Sequence, residues 1–285
     1  MDSLTENRIR AYRAQTYRLT RPVKNPEDAR AFVEERGFIL FWPIKGVILP
    51  SLWASVAGDR PVPDEHDDPG HITWGWKDQA LDKKWWYYAK VLRKRAGFIS
   101  LDIAPLFYAL SENFGSPEED YLDQYRQGTL TQEAKTIYEA LLHEGPLHTI
   151  ALRKATFMSA DESKVRFERA LTELQADFKI LPTGVAEAGA WRYAYIYDCT
   201  HRHFPWLPER AHAYGIREAQ RTLVERYFQT VGAAPAAEAN KIFHWPKGDA
   251  DRAIQELLTA GCLRQAEIEG QRTPWITTNA LWECG

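Results

Sequence analysis

Residues 131–155 read "TQEAKTIYEALLHEGPLHTIALRKA", and their pattern sets the expected fold. Ile137, Leu141 and Leu142 recur at helical spacing, so one face of the segment is apolar. Gly145-Pro146 stops that helix, and a shorter one follows. Residues 159–178, "SADESKVRFERALTELQADF", predict a third helix: Ser159 and Glu162 have capping-box spacing, and Phe167, Leu171, Leu174 and Phe178 form an apolar stripe. In residues 179–198, "KILPTGVAEAGAWRYAYIYD", Val185 and the alternating Trp191, Tyr193 and Tyr195 flank a glycine-containing turn, as in a β-hairpin.

The same order returns further on. "IREAQRTLVERYFQTVG" (216–232), "APAAEANKIFHW" (234–245) and "PKGDADRAIQELLTAG" (246–261) read as helices, and "CLRQAEIEGQRTPWITT" (262–278) as a hairpin turning at Glu269-Gly270. Three helices and a two-stranded wing are the parts of a winged helix. The predicted fold is therefore mainly α with small β-hairpin wings (α+β), built as tandem winged-helix units. The expected organisation is an elaborated winged-helix-like unit at 1–128, a winged-helix unit at 129–199, a Pro-, His- and aromatic-rich linker at 200–215 and a winged-helix unit at 216–285. In the first half, Asn25-Pro26 begins a helix that ends at Gly37. Further helices are predicted over about 78–95 and 103–113.

With 45% hydrophobic and 26% charged residues, the chain of 285 residues has an ordinary soluble, globular composition. A net charge of −3 means that any grip on nucleic acid comes from a local basic face and not from the overall field. Cys199, Cys262 and Cys284 are far apart, without a CxxC pair, so neither a disulfide framework nor a zinc site is encoded. No cofactor and no metal are expected. The first residues lack an apolar signal core and no 18-residue apolar run occurs, which points to a cytoplasmic protein without a membrane partner.

The succession "EAKTIYEALLHEGPLHTIALRKA", "RALTELQADFKILPTGVAEAGAWRYAYIYD", "EAQRTLVERYFQTVGAAPAAEANKIFHWPKGDADRAIQELLTAG" resembles the AlkZ/YcaQ family of bacterial winged-helix DNA glycosylases. The resemblance is strongest over 131–279 and weaker over 25–60. It implies tandem winged helices around a concave, DNA-binding channel, and removal of alkylated or crosslinked bases. It also implies a catalytic motif of Gln, an apolar residue, then Gln or Asp, just before a Pro-Ile pair. Pro43-Ile44 fits that pair, and Leu40, Phe41 and Trp42 precede it, so Leu40 and Trp42 occupy the motif positions. Neither side chain can position water or stabilise an oxocarbenium-like transition state. Phe41 or Trp42 is expected to pack into the core, with Leu40 narrowing the channel.

Polar chemistry concentrates instead in "DEHDDPGHITWGWKD" (64–78), where His66, Asp67, Asp68 and Asp78 are candidate acid/base groups, with His71 and Lys77 nearby. Asp68-Pro69-Gly70 reads equally as a turn solvated by its carboxylates. On a helix over 78–95, Lys83, Tyr87, Lys90 and Lys94 would share a face. Together with Lys84, Arg93 and Arg95 they would form a basic, aromatic stripe suited to phosphate contacts and base stacking. A solvated surface helix would look the same. Lys164, Arg166 and Arg169 on the third helix of the second unit are further candidates for DNA contacts, and Lys179, Arg192, Arg264 and Arg272 lie in or beside the wings. Double-stranded DNA is the expected partner, in repair or regulation without the family's base-excision motif. The alternatives are a divergent DNA glycosylase or hydrolase using the 66–78 cluster, and a module that binds a small molecule or protein in an apolar pocket lined by "FILFW".

Overall fold

The computed structural model describes residues 3–65, 67–189 and 191–283. Its strands, in chain order, are β1 (Ser3–Leu4), β2 (Phe38–Leu40), β3 (Tyr87–Ala89), β4 (Gly97–Ile99), β5 (Leu147–His148), β6 (Ile180–Ala186), β7 (Ala194–Cys199), β8 (Ala233–Ala234), β9 (Leu263–Ile268) and β10 (Trp275–Thr278). One arrangement recurs three times: a helix, a short strand, two helices and a two-stranded hairpin. The first instance uses the helices Pro26–Arg36, Leu52–Ala57 and Ile72–Leu81, the second Gln132–Glu144, Thr149–Ala155 and Lys164–Ala176, and the third Ile216–Val231, Ala236–Phe243 and Asp249–Thr259. In each, the short strand pairs antiparallel with the second hairpin strand, giving the orders β2-β4-β3, β5-β7-β6 and β8-β10-β9. No helix among the described residues is long and apolar enough to cross a membrane.

Capping follows the sequence closely in the first two instances. The Asn25 side chain accepts the Asp28 N–H at 2.7 Å, and Gly37, at φ 82°, closes that helix in a conformation that only glycine adopts freely. Thr131 caps Gln132–Glu144 in the same way. The helix of residues 164–176 departs from expectation, because it starts at Lys164 and Ser159 does not cap it. Arg153 donates to the carbonyls of Met158, Ser159 and Ala160 at 2.9, 3.3 and 3.0 Å, which occupies those groups in a turn ahead of the helix. The chain's first described residues lie against the last instance. β1 runs parallel to β9, and from the helix Glu6–Thr16 the Tyr12 hydroxyl donates to the Gln229 carbonyl at 2.6 Å, and Arg13 to the carbonyls of Val231 and Ala233.

The helix expected over 78–95 is absent. Ile72–Leu81 ends first, and the chain turns at Lys84 into the hairpin β3–β4. "WWYYA" has the period of a strand, since Trp86 and Tyr88 enter one core while Tyr87 and Ala89 enter another. Lys83, Tyr87, Lys90 and Lys94 therefore share no helical face, and Tyr87 is fully buried. The helix expected over 103–113 shortens to Ala104–Tyr108.

The run "FILF" is continuous because the sheet β2-β4-β3 is covered on both faces. Phe38 and Leu40 join Tyr87, Ala89 and Ile99 in a core shared with the helix Ile216–Val231. Ile39 and Phe41 join Tyr88 and Phe98 in a core under the helices Pro26–Arg36 and Ile72–Leu81. A Cβ on Gly97 would lie 2.8 Å from the Ile39 carbonyl oxygen, so the close pairing of β2 with β4 needs glycine there. Phe41 packs into the core as expected, but Leu40 does not line a channel: strand alternation turns it into the larger core. Leu40→Gln is expected to lower stability by about 2–5 kcal/mol in a denaturant melt, through lost packing and a buried unsatisfied amide. A loss below about 0.5 kcal/mol, the range of ordinary surface changes, would contradict this placement.

Candidate nucleic-acid interface

Residues 90–96 connect β3 to β4 and form the tip of the first hairpin. Leu92 is buried and anchors the tip, while Arg93, Lys94 and Arg95 are exposed. Arg93 and Lys94 sit at φ 52° and 56°, a left-handed backbone that costs a non-glycine residue about 1–2 kcal/mol. The tip packs against the helices Lys164–Ala176 and Ala236–Phe243, so all three instances of the repeated arrangement meet around it. Lys90 fixes one of these contacts: its N–H donates to Gln175 Oε1 and its Nζ to Thr172 Oγ1, both at 3.3 Å.

Two clefts flank the tip and share Lys94. One, of about 630 Å³, is lined by Trp42, Pro43, Ile44, Lys45, Lys90, Lys94, Arg95, Ala96 and Thr172. The other, of about 490 Å³, lies between Val91, Arg93, Lys94, Ala176, Phe243 and His244. No lining residue of either is acidic, and Lys45, Arg93, Lys94 and Arg95 have no side-chain partner among the described residues. Their charge is therefore free to meet an external anion. A third cavity, of about 510 Å³, has a mixed lining in which Glu35, Glu225 and Glu283 offset Arg36 and Arg226.

Trp42 connects the cationic cleft to an aromatic cluster. Just beyond the end of β2, its ring is braced by Phe41, His71, Trp74 and Trp53 at centroid distances of 4.8, 5.6, 6.0 and 6.3 Å. Behind these rings lies the ammonium group of Lys77, a fully buried residue. It donates to Asp78, Tyr193 and Tyr195, and stands 4.5 Å from the Tyr195 ring centroid and 5.4 Å from those of Trp74 and Tyr88. Burial holds its pKa below that of an ordinary lysine, against the opposing effect of Asp78. With three hydrogen-bond partners this cation is satisfied, and it ties the helix Ile72–Leu81 to the hairpin β6–β7.

The structure separates the remaining candidates. His66 lies outside the described residues, and Asp67 is exposed. Asp68 receives two hydrogen bonds from Arg60, at 2.7 and 2.8 Å, and caps Gly70 N–H at 2.8 Å, which makes it a turn-forming carboxylate. Asp78 is engaged by Lys77 and Tyr193. Among the described residues no three His, Cys, Asp or Glu side chains form a group that could hold a metal ion. Lys83 stacks on Trp85, and Lys84 reaches the His203 carbonyl at 2.8 Å, so this pair stands apart from the hairpin-tip cations. On the helix Lys164–Ala176, Lys164 is exposed, but Arg166 pairs with Glu133 at 3.1 Å and Arg169 with Glu173 at 2.9 Å. Lys179 is buried against Asn113 and Asp177, Arg192 pairs with Glu187, and Arg264 holds Asn279.

A family profile described as AlkZ related matches residues 23–244. The chain belongs to the AlkZ-related family. Its fold is similar to that of the Streptomyces sahachiroi DNA glycosylase AlkZ, with a TM-score of 0.61 and 14% sequence identity over 99% of this chain and 72% of that one. At that identity the likeness concerns the fold alone. Among curated proteins, none matches the sequence.

For this AlkZ-related chain, sequence reading found the cations of 90–95 but missed Lys45, Thr172 and His244 as cleft residues and Lys77 as a buried cation. Lys45 follows Trp42 by three residues, the one local signal available. Lys77→Met is expected to destabilise the fold by about 3–5 kcal/mol, the usual cost of removing one partner of a buried pair, and addition of Asp78→Asn to recover part of that loss. Urea melts of the two single variants and the double variant give the coupling. Strict additivity would show that Lys77 and Asp78 do not act as a pair.

Proposed function

We propose that this chain is a DNA-binding protein in which three winged-helix units present one cationic surface to the phosphates of double-stranded DNA, in repair or regulation. The observation that carries this reading is the cluster of Lys45, Arg93, Lys94 and Arg95, without side-chain partners among the described residues, joined by Lys90 in clefts whose lining includes no acid, at the point where all three repeats meet. Membership of the AlkZ-related family and the fold shared with the Streptomyces sahachiroi DNA glycosylase AlkZ support it. The cluster also explains how a chain of net charge −3 could hold a polyanion, since screening over about 8–10 Å lets a local field dominate at the contact. Hairpin-tip cations carry the contact here, in place of the third helices. On the second of these, two of the three basic residues are already ion-paired. On the third, Asp249 and Asp251 bond Gln220 and Asn240.

Base excision in the manner of the family's motif is not part of the proposal. Leu40 is inside a core, and Trp42 supplies no group that could activate water. The 66–78 cluster is a weaker source of chemistry than its composition suggests, with Asp68 committed to Arg60 and Asp78 to Lys77.

Binding to a labelled duplex, followed by fluorescence anisotropy from about 50 to 200 mM salt, is expected to weaken with a log–log slope of about −3 to −4, one unit for each phosphate contact. Lys94→Ala should reduce the slope by about one. Lys94→Glu with Arg95→Glu should weaken binding at least tenfold. Salt-independent binding, or none at low salt, would overturn the reading. On alkylated duplex DNA, the protein is expected to release no alkylpurine above the uncatalysed background, and enzyme-dependent release would show that the chemistry had been misplaced.

A further inference from the structure

We propose that the cleft beside Trp42 takes an unpaired nucleotide, so that the protein prefers DNA carrying an extrahelical or unpaired base to a perfect duplex. The inference rests on the DNA-binding reading above and adds a substrate class to it. At about 630 Å³ the cleft has the size of a small-ligand site, about 300–1,000 Å³, and suits one or two nucleotides rather than a double helix. Trp42 is its one aromatic lining residue. Phe41, Trp53, His71 and Trp74 brace that indole, which therefore forfeits little conformational freedom when a base packs on it.

The charges around the ring match a nucleotide's other end. Lys45 comes from the loop that carries Trp42, and Lys90, Lys94 and Arg95 from the opposing hairpin tip, with no carboxylate in the lining to repel phosphate. Pro43 and Ile44 add apolar surface beside the indole. None of these residues is a carboxylate or a carboxamide able to direct water at a glycosidic carbon, so a base held here is bound and not cut. Unpaired bases are also the ones that reach such a cleft at low cost, because extracting a paired base from a duplex costs a few kcal/mol of stacking and pairing. The cleft therefore discriminates by that cost, through one platform and a phosphate clamp.

The test is fluorescence anisotropy with three labelled oligonucleotides of matched length: a perfect duplex, the same duplex with a one-nucleotide bulge, and the single strand. A 2-aminopurine at the bulge reports stacking. The bulged duplex is expected to bind about tenfold more tightly than the perfect one, the size of a single base–aromatic contact, with quenching of the 2-aminopurine. Trp42→Leu should abolish both the preference and the quenching, so that bulged and perfect duplexes bind with equal affinity. Trp42→Phe, which keeps a ring, should retain most of the preference. Melting curves of both variants establish that they are folded. Tight single-strand binding with the same dependence on Trp42 also supports the proposal. Equal affinity for bulged and perfect duplexes, or a preference that survives Trp42→Leu in folded protein, overturns it and leaves duplex binding standing. Failure to bind any of the three at low salt removes the DNA-binding reading itself.

Discussion

The burial of the sheet β2-β4-β3 on both faces is the constraint from which the rest of the structure follows. A sheet covered on one side alternates apolar and polar residues, whereas this one is apolar throughout, in "FILF" as in "WWYYA". Its faces belong to different cores, so the sheet joins the first unit's own helices to the helix Ile216–Val231 of the last. Each large side chain so buried contributes about 1.5–3 kcal/mol, and the alternation settles which residue goes to which side. Trp42 is the first side chain past the strand's end that is only partly buried: it packs against the core that contains Phe41 and also lines the cleft.

The second joint is ionic. Lys77 carries a cation into an aromatic enclosure, which is tolerable only because Asp78, Tyr193 and Tyr195 accept its protons and the ring faces of Trp74, Tyr88 and Tyr195 surround it. The acceptors lie on the same helix and on the hairpin β6–β7, so satisfying the charge holds the first two units at a set distance. On the other side of the second unit, Thr172 and Ala176 then meet the 90–96 tip. The cationic surface thus depends on contacts that are themselves apolar or internally neutralised.

The overall acidity of the chain is consistent with this arrangement. Many carboxylates are engaged inside the protein: Glu133 by Arg166, Glu173 by Arg169, Glu187 by Arg192 and Asp198 by Arg202. The exposed pair of Glu187 with Arg192 contributes little stability, about 0–1 kcal/mol, and Asp198 is buried, but every one of these pairs cancels charge locally. What remains unpaired at the hairpin tip is positive, which a net count over the whole sequence averages away.

The sequence by itself determined the elements whose causes are local. Thr131, Asn25 and the glycines at 37 and 145 mark helix ends, because caps and left-handed turns depend on neighbouring backbone. The repeated order of helices and hairpin in the second half, and with it the family resemblance, were legible for the same reason. The basic residues at 90–95 were legible as composition and not as geometry. Lysines and arginines with aromatics read equally as a helix or a strand until a partner strand is present, and β4 supplied that partner. Tertiary structure alone decided that Leu40 is core and Trp42 cleft, that Lys77 is enclosed while Lys94 is free, and that Lys45, Thr172 and His244 line clefts with residues distant in sequence. Burial and the cancellation of charge are properties of what packs against a side chain, and those neighbours are distant in sequence.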